Sequence, residues 1–233
     1  MTKRDPARDI QDKLRALGYL QAPEAEPSPA FRENRRQLVH VAVGLGALSL
    51  AFLPMWAVWL GGIFGVILNF LILPALKLDR PLLRPGERYI SGFKLYPVAV
   101  LILVLVFPLP IAAAAWGILA TGDAASNWIG RKYGRVRLPW HRQKSWAGLL
   151  AFFVVALPVA ALMILWTQWG RASLYSAEPL LEGTSVWIAA GVGALVSAVL
   201  ESLPIPIDDN VTVSIGSALA MQGWLLWGSS IGF

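Results

Sequence analysis

Seven apolar runs, at 38–54, 56–76, 94–107, 110–128, 146–168, 185–203 and 210–230, follow one another with little polar sequence between them. A helix crosses a bilayer with about 20 largely apolar residues, about 17 at the least, so six of the seven runs reach that length and 94–107 is short. A soluble chain would be about a quarter charged, whereas this one is 15% charged and 56% hydrophobic over 233 residues. It could not hide that much apolar surface from water, because roughly a quarter to a third of a folded chain's surface stays wet. Lipid is the expected solvent. The expected fold is all-α: a polytopic transmembrane helical bundle of about seven spans. Pro54 separates the first two runs, and Pro108 with Pro110 separates the third from the fourth, so each pair reads as a tight helical hairpin.

The cations set the orientation. Of 20 Lys and Arg, eight lie in 1–37, five in 77–94 and six in 129–145, and the single one left, Arg171, falls on the opposite side. Positive residues stay in the cytoplasm, so the N-terminus and these connections are expected there, in an integral, multi-pass membrane protein. The same placement removes nucleic acid as the reason for the net charge of +6. There is no cysteine, which excludes thiolate chemistry, and the two histidines, His40 and His141, are too few for a histidine-rich metal site.

Residues 1–34 form a polar extension without the character of a cleavable signal. Within it 9–19 has the spacing of a short amphipathic helix and 22–30 that of a proline-rich linker. Residues 35–233 are the membrane domain. Gly193 and Ser197, four apart, suit close helix packing; a homodimer is compatible with the sequence and not required by it.

Ionisable groups in spans cost about 2.5–3.5 kcal/mol at a helix centre and are usually paired or functional. Asp123, Glu201, Asp208 and Asp209 all fall toward the cytoplasmic ends of their segments, so three separate stretches deliver acids to one face. The 204–209 connection holds no cation, so the acids require a divalent metal or an Arg or Lys from another loop. Asp123, Ser126 and Asn127 share a helical face and offer oxygen ligands to a hard cation; the alternative is a small-residue interface in which Asp123 pairs with an arginine. Residues 130–145 add Arg131, Lys132, Arg135, Arg142 and Lys144, which suit a polyphosphate or act only as topology determinants. Lys144 stands at a helix start, where phosphate binds. Arg36, His40 and Gly44 line one face where the first span leaves the cytoplasm. Pro204 and Pro206 break the helix between Glu201 and Asp208, and broken backbone at membrane depth is tolerated where it lines a cavity or is buried in protein. No Walker A loop and no serine hydrolase elbow is present.

Taken in order, Arg36-Gln37-xx-His40-xxx-Gly44, Gly122-Asp123-Ala124-Ala125-Ser126 with Gly130 and Gly134, Lys144-Ser145-xx-Gly148, and Glu201 with Asp208-Asp209-Asn210 resemble the dolichol kinase and phytol kinase family, over about residues 35–215. The family also includes a CTP-dependent diacylglycerol kinase and is distantly related to phosphatidate cytidylyltransferases. The resemblance implies transfer of the γ-phosphoryl group of CTP, or another nucleoside triphosphate, to the hydroxyl of a membrane lipid alcohol. The acceptor would be an isoprenoid alcohol (phytol, farnesol, polyprenol or dolichol) or diacylglycerol. It implies Mg²⁺ held by Asp123 with Asp208 and Asp209, and nucleotide contacts from Arg36, His40, Gly122, Ser126, Asn127, Arg131, Arg142, Lys144 and Asn210. Lys144 would neutralise the transferring group, and Asp209 or Glu201 would orient or deprotonate the lipid hydroxyl. Gln37 stands where relatives often carry lysine. Two other readings remain open: a phosphatidate cytidylyltransferase, whose His-Gly-Gly stretch this chain lacks, and a small ion-coupled transporter, for which no inverted repeat is visible.

Overall fold

The computed structural model describes residues 33–78 and 92–230, and among these every regular element is a helix. The principal helices are α1 (Glu33–Gly44), α2 (Met55–Ile67), α3 (Gly92–Val106), α4 (Leu109–Tyr133), α5 (Trp146–Tyr175), α6 (Thr184–Ser202) and α7 (Asp209–Ser230). The expected elements at 9–19 and 22–30, and most of the 77–94 connection, lie outside the described residues. By length and apolarity three helices suffice to cross a membrane: Met55–Ala75, Trp146–Tyr175 and Thr184–Ser202. α3 is short, and α7 carries acid, amide and hydroxyl residues through its first turns.

The first apolar run is not one α-helix. α1 passes at Gly44 into a 3₁₀ helix, Leu45–Ala51. At about 1.5 Å per residue in the first part and about 2.0 Å in the second, the apolar part from Leu38 to Ala51 extends about 24 Å, short of a hydrocarbon core of about 30 Å. Pro54 then starts α2. α2 continues through a π-helical stretch, Leu68–Ile72, into Leu73–Ala75. Pro74 explains the change of register: it has no N–H to give Phe70 and its ring crowds that carbonyl, and the N–H of Leu73 bonds instead to Leu68 O.

α4 is the central helix and touches α1, α3, α5, α6 and α7. Its small residues permit this: Ala112, Ala113, Ala114 and Ala115 are fully buried. In lipid, helices associate through close packing and interhelical hydrogen bonds, since apolar burial gives little drive there. Gly44 shows how close the approach is, because a Cβ there would collide with Cβ of Ala120. α4 also outlasts its apolar run. It continues to Tyr133 and stops at Gly134, whose N–H bonds to Gly130 O at 3.0 Å. Arg131 and Lys132 therefore belong to the last helical turn, where cations favour the helix dipole, and not to a loop.

Aromatic residues mark two levels about 35 Å apart along α5, with Trp140 and Trp146 at one and Trp166, Trp169 and Phe52 at the other. Tryptophan favours membrane–water interfaces. At the second level Arg171, the cation off the basic side, closes the end of the α1–α2 hairpin. It donates to Leu50 O (3.4 Å) and Leu53 O (3.1 Å) and lies 4.5 Å from the centre of the Tyr175 ring. The Tyr175 hydroxyl donates to Phe52 O at 2.7 Å, and Trp166 Nε1 to Leu48 O at 3.0 Å.

Candidate active site

At the first aromatic level, where the basic residues gather, six helices and two connections enclose a cavity of about 540 Å³. α4 supplies Asp123, Ser126, Asn127, Gly130 and Arg131, which recur at helical spacing on one face. Asn127 Nδ2 donates to Asp123 Oδ1 at 2.9 Å, and so fixes the carboxylate rotamer from one turn away. Ser126 Oγ reaches across to Glu201 Oε1 at 3.2 Å, joining α4 to the end of α6.

The connection between α4 and α5 is an ordered hairpin. Arg137 and Ser145 form an isolated antiparallel bridge, Leu138 N–H bonds to Lys144 O at 2.9 Å, and the Leu138 side chain is buried. Trp140 Nε1 donates to Ser202 O at 3.1 Å and ties the hairpin to α6. Lys144 is thereby held over the cavity, with Nζ 3.0 Å from Glu201 Oε1 and 3.4 Å from Asp209 Oδ2, and it also donates to the Glu201 carbonyl. This is the cation from another loop that the acids required. Glu201 is 6% exposed and within electrostatic reach of both Asp123 and Asp209.

α5 and α7 both begin at this cavity. Ser145 caps α5 by accepting the Gly148 N–H at 3.2 Å, and a Cβ on Gly148 would lie 3.0 Å from the Ser126 carbonyl oxygen. Pro204 and Pro206 end the α6 path, and Asp208 then starts α7. Its Oδ1 accepts the Asn210 N–H (3.0 Å) and Nδ2 (2.8 Å), and Asn210 Nδ2 also bonds to Gly92 O at 2.8 Å. Burial raises the Asp208 carboxyl above the usual carboxylate range; the two Asn210 donors oppose this, the Asp209 charge adds to it and Arg36 counteracts it. Two helix N-termini, which favour anions, thus open on one cavity whose wall carries four cations and four carboxylates.

Of the expected site residues, Arg36, Asp123, Ser126, Asn127, Arg131, Lys144, Glu201, Asp208, Asp209 and Asn210 share the cavity wall. His40, Gly122 and Arg142 do not. His40 sits one turn deeper than Arg36, buried with its ring 4.7 Å from that of Tyr96. Gly122 faces the Phe152 ring, which a Cβ would strike. Arg142 is exposed on the hairpin. Lys94, counted from sequence with the basic connection, is buried at the start of α3, 5.8 Å from the centre of the Phe70 ring. Sequence reasoning passed over Gly92, Arg137 and Gln143, which also line the cavity. Arg137 had a readable signal as one more cation of the basic run. Gly92 had none, because its place depends on Asp208, whose Oδ2 would lie 2.7 Å from a Cβ there. Among the described residues no three acidic or histidine side chains converge closely enough to hold a metal ion by themselves.

The phytol kinase of Synechocystis sp. is 33% identical over 208 residues, covering 86% of this chain and 82% of its own. The chain belongs to the phytol kinase family. A chloroplastic farnesol kinase of Arabidopsis thaliana is 29% identical over 215 residues, 82% of this chain and 65% of its own. A probable chloroplastic phytol kinase of Triticum aestivum is 30% identical over 148 residues, 62% of this chain and 47% of its own. The chain thus spans between about two fifths and two thirds of the length of the plant relatives. No family model matches the sequence, and no solved structure matches it.

Proposed function

We propose that this member of the phytol kinase family is a multi-pass membrane kinase of lipid alcohols. It would move the terminal phosphoryl group of a nucleoside triphosphate, CTP by the family resemblance, to the hydroxyl of an isoprenoid alcohol. The observation that carries the reading is Lys144, fixed by an ordered hairpin between Glu201 and Asp209 at a cavity into which two helices point their N-termini. Phosphoryl transfer consists mostly of positioning and charge stabilisation, and this cavity offers both. The basic residues around it support a cytoplasmic position, on the side where the nucleotide is dissolved.

Magnesium is read as part of the nucleotide substrate. Mg²⁺ is usually held by one or two carboxylates together with phosphates and water, which fits a wall that has acids but no three-ligand cage. Asp123 and Asp209 are the acids best disposed for it, and Asp208, with one oxygen engaged by Asn210, is the third. Lys144, Arg36, Arg131 and Arg137 face the phosphates. The lipid hydroxyl oxygen bonds to the γ-phosphorus as the bridging oxygen leaves with the nucleoside diphosphate. Glu201, which accepts from Ser126 and pairs with Lys144, would take the hydroxyl proton.

Purified protein with Mg²⁺, a panel of lipid alcohols plus phosphatidic acid, and CTP labelled at the α or the γ phosphate tests the reading. Organic-phase label from γ-CTP alone supports a kinase, and the responding alcohol identifies the acceptor. Label from α-CTP with phosphatidic acid makes it a cytidylyltransferase and ends the proposal. Substituting ATP measures the choice of base.

A further inference from the structure

A second cavity, of about 310 Å³, lies deeper in the bundle between α1, α2, α3 and α4. Its walls are apolar: Leu50 and Leu53 below α1, Val58 on α2, Val100 and Val104 on α3. The few polar atoms along it are already engaged. Trp116 Nε1 donates to the Tyr96 hydroxyl at 2.8 Å, that hydroxyl donates to His40 O at 3.4 Å, and Ser49 Oγ donates to Gly46 O at 2.7 Å. A polar head group would find nothing to bond inside.

The cleft lies in line with the polar cavity along three helices. On α1 Arg36 lines the cavity and Val43 the cleft; on α3 Gly92 and then Tyr96; on α4 Asp123 and then Trp116. These pairs are seven, four and seven residues apart, so each keeps to one helical face and the cleft lies one to two turns further into the membrane. From Tyr96 to Val104 it runs about 12 Å along α3. α2, which forms its outer wall, is the barest of the apolar helices, with 11% of its most apolar window buried. Lipid therefore lies directly against the helix that closes the cleft.

We infer that this cleft holds the first part of the aliphatic chain of the lipid alcohol, with the hydroxyl passing Tyr96 into the polar cavity. The inference rests on the kinase reading for the identity of the lipid, and its volume, at the lower end of the range of about 300–1,000 Å³ for small-ligand sites, fits one chain and not two. Glycines make the room. A Cβ on Gly61 would meet no atom within 4 Å, and one on Gly65 would make ordinary contact with Pro97 at 3.7 Å, so larger residues at these positions fit the fold and fill the cleft.

A photoreactive single-chain alcohol, with a diazirine near its hydroxyl end, is cross-linked to the unaltered protein in detergent and mapped by mass spectrometry. Label within 57–65 or 96–104, competed by unlabelled farnesol or phytol, supports the inference; label spread over the outer faces of α5 and α6 overturns it. Gly65→Leu and Gly61→Leu are compared with Gly223→Leu, which also enters open space but on α7. Both cleft variants are expected to lose at least tenfold in kcat/KM for a fifteen-carbon or longer alcohol while CTP binding stays within twofold, with Gly223→Leu unchanged. Wild-type turnover with unchanged cleft variants would sink the subsite alone. Absence of turnover by the wild type on every alcohol would count against the kinase reading, and the cross-linking map would still judge the cleft.

Discussion

Lys144→Met separates what Lys144 does for the fold from what it does for chemistry. The methionine keeps the length and apolar stem of the side chain and removes the ammonium from between Glu201 and Asp209. Taking one partner from a buried ion pair costs about 3–5 kcal/mol, because the other charge stays desolvated. The lower end applies here, since the Lys144 side chain keeps 23% exposure and Ser126 still donates to Glu201. About 3 kcal/mol in a chain of this size is a fall in melting temperature of about 6–12 °C. Glu201→Gln added to Lys144→Met removes the stranded charge, so the double variant is expected to melt within about 3 °C of wild type, a coupling of about 2 kcal/mol. Activity behaves differently. Losing one preorganised charge at a phosphoryl group costs about 10²–10³ in kcat, and the double variant stays as inactive as the single one. The assay is a thermal melt in detergent followed by γ-CTP turnover. A single variant that melts like wild type, or a double variant that loses the sum of the two single costs, refutes the ion-pair argument; turnover within tenfold of wild type refutes the catalytic one.

Asp123→Asn should leave the melt within about 2 °C, since Asn127 can still donate to the amide oxygen, while kcat falls at least 10²-fold if the carboxylate meets metal or phosphate. Asp208 titrates above the ordinary carboxylate range, so activity that needs its charge is lost as pH falls through that raised value. Asn210→Ala removes the side-chain donor that opposes the rise and should move the acid limb of kcat/KM to higher pH, whereas Asp208→Asn should abolish that limb. Asp208 ionisation also opposes folding: its contribution to stability is fullest at low pH and declines as pH rises from the unfolded value through the folded one. Arg171→Met leaves the Leu50 and Leu53 carbonyls without their donor, with an expected cost of about 1–3 kcal/mol read by the melt, and unchanged turnover below the melting range because the site is at the other end of the bundle. Chelation of Mg²⁺ should abolish CTP binding itself, measured by calorimetry. The cavity wall already balances Arg36, Arg131, Arg137 and Lys144 against Asp123, Glu201, Asp208 and Asp209, and so has no surplus charge for a bare triphosphate.

The helices were legible in the sequence because apolar runs and prolines act locally: Pro54 and Pro108 stand at the helix starts where the sequence placed breaks. So was the face formed by Asp123, Ser126 and Asn127, since i, i+3 and i+4 spacing is a property of one helix. The change to 3₁₀ geometry after Gly44 was not legible. Neither was the continuation of α4 to Tyr133, because the end of apolarity and the end of helix are set by different things, lipid thickness in one case and Gly134 in the other.

The site residues divide along the same line. Arg36, His40 and Gly44 do share a face, as their spacing requires, but only Arg36 reaches the cavity; His40 meets Tyr96 and Gly44 meets Ala120 one and two turns deeper. Periodicity gives the angle of a residue around its helix and says nothing of the depth at which neighbouring helices part to leave a cavity. That depth is fixed by where other chain segments end, here by the prolines that stop α6 after Ser202 and by the hairpin that brings Lys144 back over Glu201. A need for a cation can be read from acids that have none nearby. Its identity depends on how the 56 residues between Lys144 and Glu201 fold, so the sequence states the requirement and tertiary structure chooses the residue that meets it.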